Sequence, residues 1–98
     1  MPYLTISDAK EKREEAKNKA VDLREAGDLK EASELLEEVI AWDEANPNDR
    51  GLVDALGHLR ITFSRLAEEQ DGSEAQKAYL QKALDAIKRA LTVAKKVR

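Results

Sequence analysis

Two stretches of this chain carry one pattern of apolar residues. Leu29, Ala32, Leu36 and Val39 follow the turn Ala26-Gly27-Asp28, and Leu80, Ala83, Ile87 and Ala90 repeat the same steps of three, four and three in the second half. Such steps put large and small side chains in one stripe along a helix, with an alanine where a neighbouring backbone comes close. A half-buried strand would alternate at every second residue, so the pattern selects helix over sheet in both stretches. Two packed helical hairpins are the architecture it predicts.

Composition points the same way. The apolar residues are mostly Ala and Leu, only four of the 98 residues are aromatic, and 38 % are charged, a mixture that favours amphipathic helix. The expectation is one monomeric all-α domain over residues 1–98, with four helices as two antiparallel hairpins, about 8–46 and about 49–97, packed in a solenoid-like bundle. A chain of this length buries roughly 60–65 % of the surface it exposes when unfolded, enough for a modest core. A formal net charge of −3 argues against a nucleic-acid partner, which would require clustered Lys and Arg. The absence of cysteine excludes disulfides, a thiolate nucleophile and thiolate-ligated zinc. No apolar run reaches membrane-spanning length, and Met1-Pro2-Tyr3-Leu4 lacks the regions of a signal peptide. The expected product is soluble, cytoplasmic if natural or recombinantly expressed, and has no membrane partner.

Helix boundaries are marked by turn and capping residues. Ser7 or Asp8 can cap the first helix, with Asp8 and Glu11 forming a D-x-x-E box, and Gly27 supplies a left-handed stop. Asp28 and Glu31 repeat the box immediately afterwards, which leaves almost no loop and makes the first two helices antiparallel neighbours. The second helix is expected to run to about Asn46, ahead of Pro47, and a third, capped by Asn48 or Asp49, to about Gln70. After Asp71-Gly72, Ser73 and Gln76 form an S-x-x-Q box for a fourth helix that continues to Val97. Lys95, Lys96 and Arg98 complement its C-terminal dipole.

The helix faces differ in what they offer a core. Leu52, Leu56, Leu59, Phe63 and Leu66 make one continuous seam on the third helix. Val53, Gly57, Ile61 and Ser64 make a second stripe of smaller residues, where Gly57 would admit a close neighbour. The fourth helix is apolar over a wide arc from Tyr79 to Ala94, which predicts contact with more than one element. From Lys10 to Lys19 the first helix offers only Ala16, so its early turns are expected to need cover from Tyr3, Leu4 and Ile6.

The stretch Ala16 to Asp49 resembles a tetratricopeptide repeat, a stacking helical hairpin of about 34 residues. Ala32, Leu36 and Val39 match the pattern of its second helix, and Gly27-Asp28 matches its turn, while Pro47 stands about three residues late. Lys19 occupies a position where leucine is typical, and Leu23 replaces a tyrosine. Leu56-Gly57 resembles the pair that opens a second repeat, and Leu80, Ala83, Ile87 and Ala90 resemble its second helix, although the chain between them is longer than the family spacing. The resemblance implies a concave peptide-binding groove lined by the first helix of each hairpin. Of the residues that grip a terminal carboxylate in part of the family, Val21 replaces one asparagine and Lys17 alone does not rebuild the clamp.

Reactive groups are few. His58 is the only histidine, with Asp54 one turn before it, a spacing that could share a metal ion or act as an acid-base pair. Both fall away from the leucine seam on the helical wheel, which predicts an exposed and neutral role. Glu34, Glu37, Glu38, Asp43 and Glu44 read as a solvated acidic face, and the E-x-x-H spacing of four-helix metal sites is absent. Ser33, Thr62 and Ser64 have no neighbouring base in sequence. The reading is noncatalytic, with no metal and no cofactor. Leu35, Val39 and Trp42 are the candidate partner contacts, either plugging the junction between hairpins or forming a patch for a partner helix or for dimerisation.

Two classes of function follow. Capping signals at every helix, clean core seams and the lack of cysteine suit a designed or engineered helical scaffold without catalytic activity or intrinsic biological function. Irregular loops, the asparagines around Pro47 and Gly57 inside a helix suit a natural tetratricopeptide-like module that binds a peptide, protein or helix in a groove.

Overall fold

A computed structural model describes residues 6–46 and 49–96, with side chains within 10–46 and 50–95. It contains α1 (Ile6–Glu25), α2 (Leu29–Ala45), α3 (Asp49–Glu68) and α4 (Ser73–Lys96), and no strand among the described residues. The chain is all-α. Ser7 and Asp8 lie inside α1, which begins at Ile6, so neither is its N-cap, whereas the cap at Asn48, cover from Tyr3 and Leu4, the side chain of Ile6, Pro47 and the Val97 end lie outside the described residues.

The first turn is built by Gly27. Its φ of +92° is a conformation that side chains oppose, and it lets Gly27 N–H donate to Arg24 C=O at 3.0 Å while Asp28 N–H donates to Leu23 C=O at 2.8 Å. This paired closure satisfies the last carbonyls of α1 and reverses the chain at once into α2. Asp28 then stands at the N-cap of α2, but its side chain makes no cap hydrogen bond. The S-x-x-Q box also forms differently. Gln76 turns its amide onto Ala67 C=O at 3.3 Å, so it serves the C-terminal end of α3. At the end of α2, the Asn46 backbone and side-chain amides both donate to Trp42 C=O, at 2.9 and 3.0 Å.

The α3 seam lies at the centre of the core. Leu52, Leu56, Leu59, Phe63 and Leu66 are all buried, and α3 packs on both α2 and α4. From α2 the core receives Leu29, Leu36, Val39 and Ile40, from α1 Ala20, and from α4 Ala83 and Ala86. Phe63 stacks on Tyr79 with ring centroids 6.2 Å apart, and the Lys82 ammonium lies 5.5 Å above the Phe63 ring. Helix α1 packs on α2 and touches α3 along one edge, whereas α4 packs closely on α3 and meets α2 through the Arg89–Glu44 ion pair. The expected contact of α4 with more than one element is therefore present, but its apolar packing is against α3. Gly57 is open, since a Cβ placed there would meet nothing within 4 Å.

Two hydroxyls are buried within helices. Thr62 donates to His58 C=O at 2.8 Å and Ser33 to Lys30 C=O at 2.7 Å, which satisfies each within its own helix.

Candidate functional site

Two regions concentrate features that the hydrophobic core does not absorb. The first is a polar seam where α1 meets α2 and α3. Arg13 and Asp43 are 4 % and 0 % exposed at their side chains, with Arg13 Nε donating to Asp43 Oδ1 at 3.0 Å and Nη2 to Oδ2 at 2.6 Å. Nη2 also donates to Gly51 C=O at 2.8 Å, and Nη1 to Glu14 at 2.6 Å. One guanidinium thus joins three helices. The hydrogen bond to Asp43 raises the Arg13 pKa further, outweighing burial. Burial pushes the Glu14 carboxyl up, but Arg13 and Lys17 together bring it below its ordinary value.

These positions correct the sequence reading. The apolar pattern gives Arg13 no place in the core, since Lys10 to Lys19 offers only Ala16, and it places Asp43 on a solvated acidic face. Both are interior, because a planar fork and a carboxylate can satisfy one another when the fold brings them together. A separation of thirty residues hides that pairing from any local pattern.

His58 is likewise not on the open surface. Its Nδ1 lies 3.0 Å from Arg24 Nη1, a group that can only donate, so the ring proton sits on Nε2. Nε2 faces Asp54 Oδ1 at 3.6 Å, longer than a hydrogen bond, and Lys17 Nζ lies 3.6 Å from Asp54 Oδ2. Burial pushes the imidazole pKa down, Asp54 pulls it up, and Arg24, Lys17 and Arg13 lower it again, for a net value below the ordinary one. The neutral ring is an acceptor for Arg24, which leaves its lone pair engaged. Arg24 itself is buried, with its Nε unpaired. Among the described residues no group of three or more His, Cys, Asp or Glu side chains is placed to hold a metal ion.

The candidate contacts on α2 are divided. Val39 is in the core, while Leu35 and Trp42 are half-buried. Leu35 lines a shallow cleft of about 240 Å³ between α1 and α2 with Leu23, rimmed by Lys19, Glu31, Glu34 and Glu38. A second cleft of about 170 Å³ lies over Leu59 and Phe63, rimmed by Glu37, Lys82, Asp85 and Arg89. Both are smaller than the roughly 300–1,000 Å³ typical of small-molecule sites.

The second region is the outer face of α4. Leu80, Leu84, Ile87 and Leu91 are 51 %, 43 %, 37 % and 57 % exposed. Arg89, on the opposite side of the helix, reaches Glu44 of α2 at 2.8 Å, which turns the stripe away from α2. The core-facing side of α4 is a separate stripe, with Tyr79, Ala83, Ala86, Ala90 and Val93 against the cluster. Sequence reasoning merged the two stripes into one arc. Their distinction was visible in residue size, with alanines predominating on one side and leucine or isoleucine at every position on the other.

No helix among the described residues is long and apolar enough to cross a membrane. No family model, curated protein or solved structure matches this chain.

Proposed function

We propose that this chain is a noncatalytic helical scaffold that associates with another helix through the outer face of α4. The observation that carries the reading is the row Leu80, Leu84, Ile87 and Leu91, four large apolar side chains left in solvent beside a separate stripe that already holds α4 to the fold. Contiguous apolar surface of this kind marks association sites. The 4-3-4 spacing of the row is that of a helix-pairing seam.

The groove that a tetratricopeptide-like arrangement would use supports the same choice. Along α1 and α3, Lys17 faces Asp54 and Arg24 faces His58, so these polar groups are engaged with one another. That engagement also favours a second reading, a designed or engineered scaffold with no partner. The two are separated by measuring binding of a set of fluorescent amphipathic helical peptides to the chain and to Leu84→Lys. Saturable binding that the variant loses, with its helical content and melting midpoint retained, is the expected result. If neither a peptide nor a second copy engages the face, the association reading fails and the scaffold reading replaces it.

A further inference from the structure

We infer that the occupant of the α4 face is a second copy of this chain, with its α4 antiparallel to the first across a two-fold axis. The inference rests on the reading of α4 as an association face. Three features of the helix select this occupant.

The seam is its own complement. Steps of four, three and four read the same in both directions, so reversing one helix sets Leu80 against Leu91 and Leu84 against Ile87 in four layers related by symmetry. Lys77 and Ala94 then lie opposite one another and end the apolar row.

The solvent flank is complementary in that same register. Glu74, Gln81, Lys88 and Lys95 recur at steps of seven beside the seam, and all four are exposed. Antiparallel pairing places Glu74 opposite Lys95 of the second copy and Gln81 opposite Lys88, with each pair occurring twice. Parallel pairing would instead set this flank against the side that carries Gln76, Ala83 and Ala90, which offers no acid to Lys88 or Lys95. A partner of unrelated chemistry would have to supply an acid at one end of the flank and a base at the other. A second copy supplies both.

The remaining flank leaves room. On the side toward α3 the seam is bordered by the small residues Ala83 and Ala90. The α3–α4 pair is already folded, so association orders side chains and not backbone. The apolar row spans about 17 Å of helix, a short interface that predicts a weak and reversible association.

The test is analytical ultracentrifugation of the full chain from 1 to 500 µM, beside Leu84→Lys, with helical content and melting midpoint recorded for both. A reversible dimer is expected, with the variant dissociating at least tenfold more readily while remaining folded. Orientation is read with Glu74→Cys and Lys95→Cys, in a chain that otherwise has no cysteine. A short bis-maleimide should join one variant to the other in a mixture and join neither to itself. A monomer at every concentration, a dimer indifferent to Leu84→Lys, or self-linking of Glu74→Cys alone would overturn the inference. A monomer that still binds helical peptides through α4 removes only the second copy as occupant, whereas one that binds none also removes the association reading.

Discussion

Helices α2 and α4 carry the same spacing of apolar residues and put it to opposite uses. In α2, Leu29 and Leu36 are 4 % and 1 % exposed, because α1 and α3 pack on either side. Their counterparts in α4, Leu80 and Ile87, are 51 % and 37 % exposed, because α4 packs closely on α3 alone and meets α2 through an ion pair on the side away from them. The small positions behave alike in both, with Ala32 and Ala83 facing the core. Periodicity therefore decides that each segment is a helix and that its alanines approach a neighbour. The number of neighbours decides whether its large residues stabilise the fold or remain available to a partner.

The sharpest way to disturb the α2 side is through its buried ion pair. Asp43→Ala would strand Arg13 among three helices, and its expected cost is about 3–5 kcal/mol, read from the urea denaturation midpoint. A loss below about 1 kcal/mol would mean that water reaches the guanidinium. Next in size is the matched pair Leu36→Ala and Ile87→Ala. The first should cost about 2–5 kcal/mol through lost burial and a cavity, as should Leu56→Ala on α3, and the second less than about 1 kcal/mol. Equal costs at low protein concentration would erase the distinction between the helices.

A smaller effect comes from pH. The folded-state pKa of His58 lies below its ordinary value, so the unfolded chain takes up the proton first as pH falls. Stability from the neutral ring is fully present above about pH 6.5 and declines as pH drops below that value toward the folded pKa. The urea midpoint should therefore fall between pH 7 and pH 5.5, and by less in His58→Gln. Identical slopes would show that the ring does not titrate differently on folding. The smallest effect expected is a gain. Gly57→Ala adds a methyl group to open space inside a helix and should stabilise the monomer by about 0.5–1 kcal/mol. A loss would reveal a neighbour at that position.

Much of the fold was legible in the sequence because it depends on local periodicity and turn chemistry. The α3 seam from Leu52 to Leu66, the left-handed stop at Gly27 and the hairpin organisation all follow from residues within a few turns of each other. Features decided by distant neighbours were not legible. Arg13 and Asp43 look like surface charges until α1 and α2 are aligned, and His58 looks exposed until Arg24 reaches it from α1. Capping signals were partly misleading for a related reason. Gln76 found a carbonyl at the end of α3 closer to hand than its own helix start, a choice that depends on how α3 and α4 meet. The α4 face was only half legible. Its apolar arc could be counted, but which part would be covered depends on which helices lie alongside.

The most direct test of this account is carbene footprinting of the aliphatic side chains at 1 and 500 µM protein. The account predicts strong labelling of Leu80, Leu84 and Leu91 at the low concentration, loss of that labelling at the high one, and protection of Leu29 and Leu36 at both. Labelling of α4 that matches α2 when dilute, or that does not change with concentration, would contradict it.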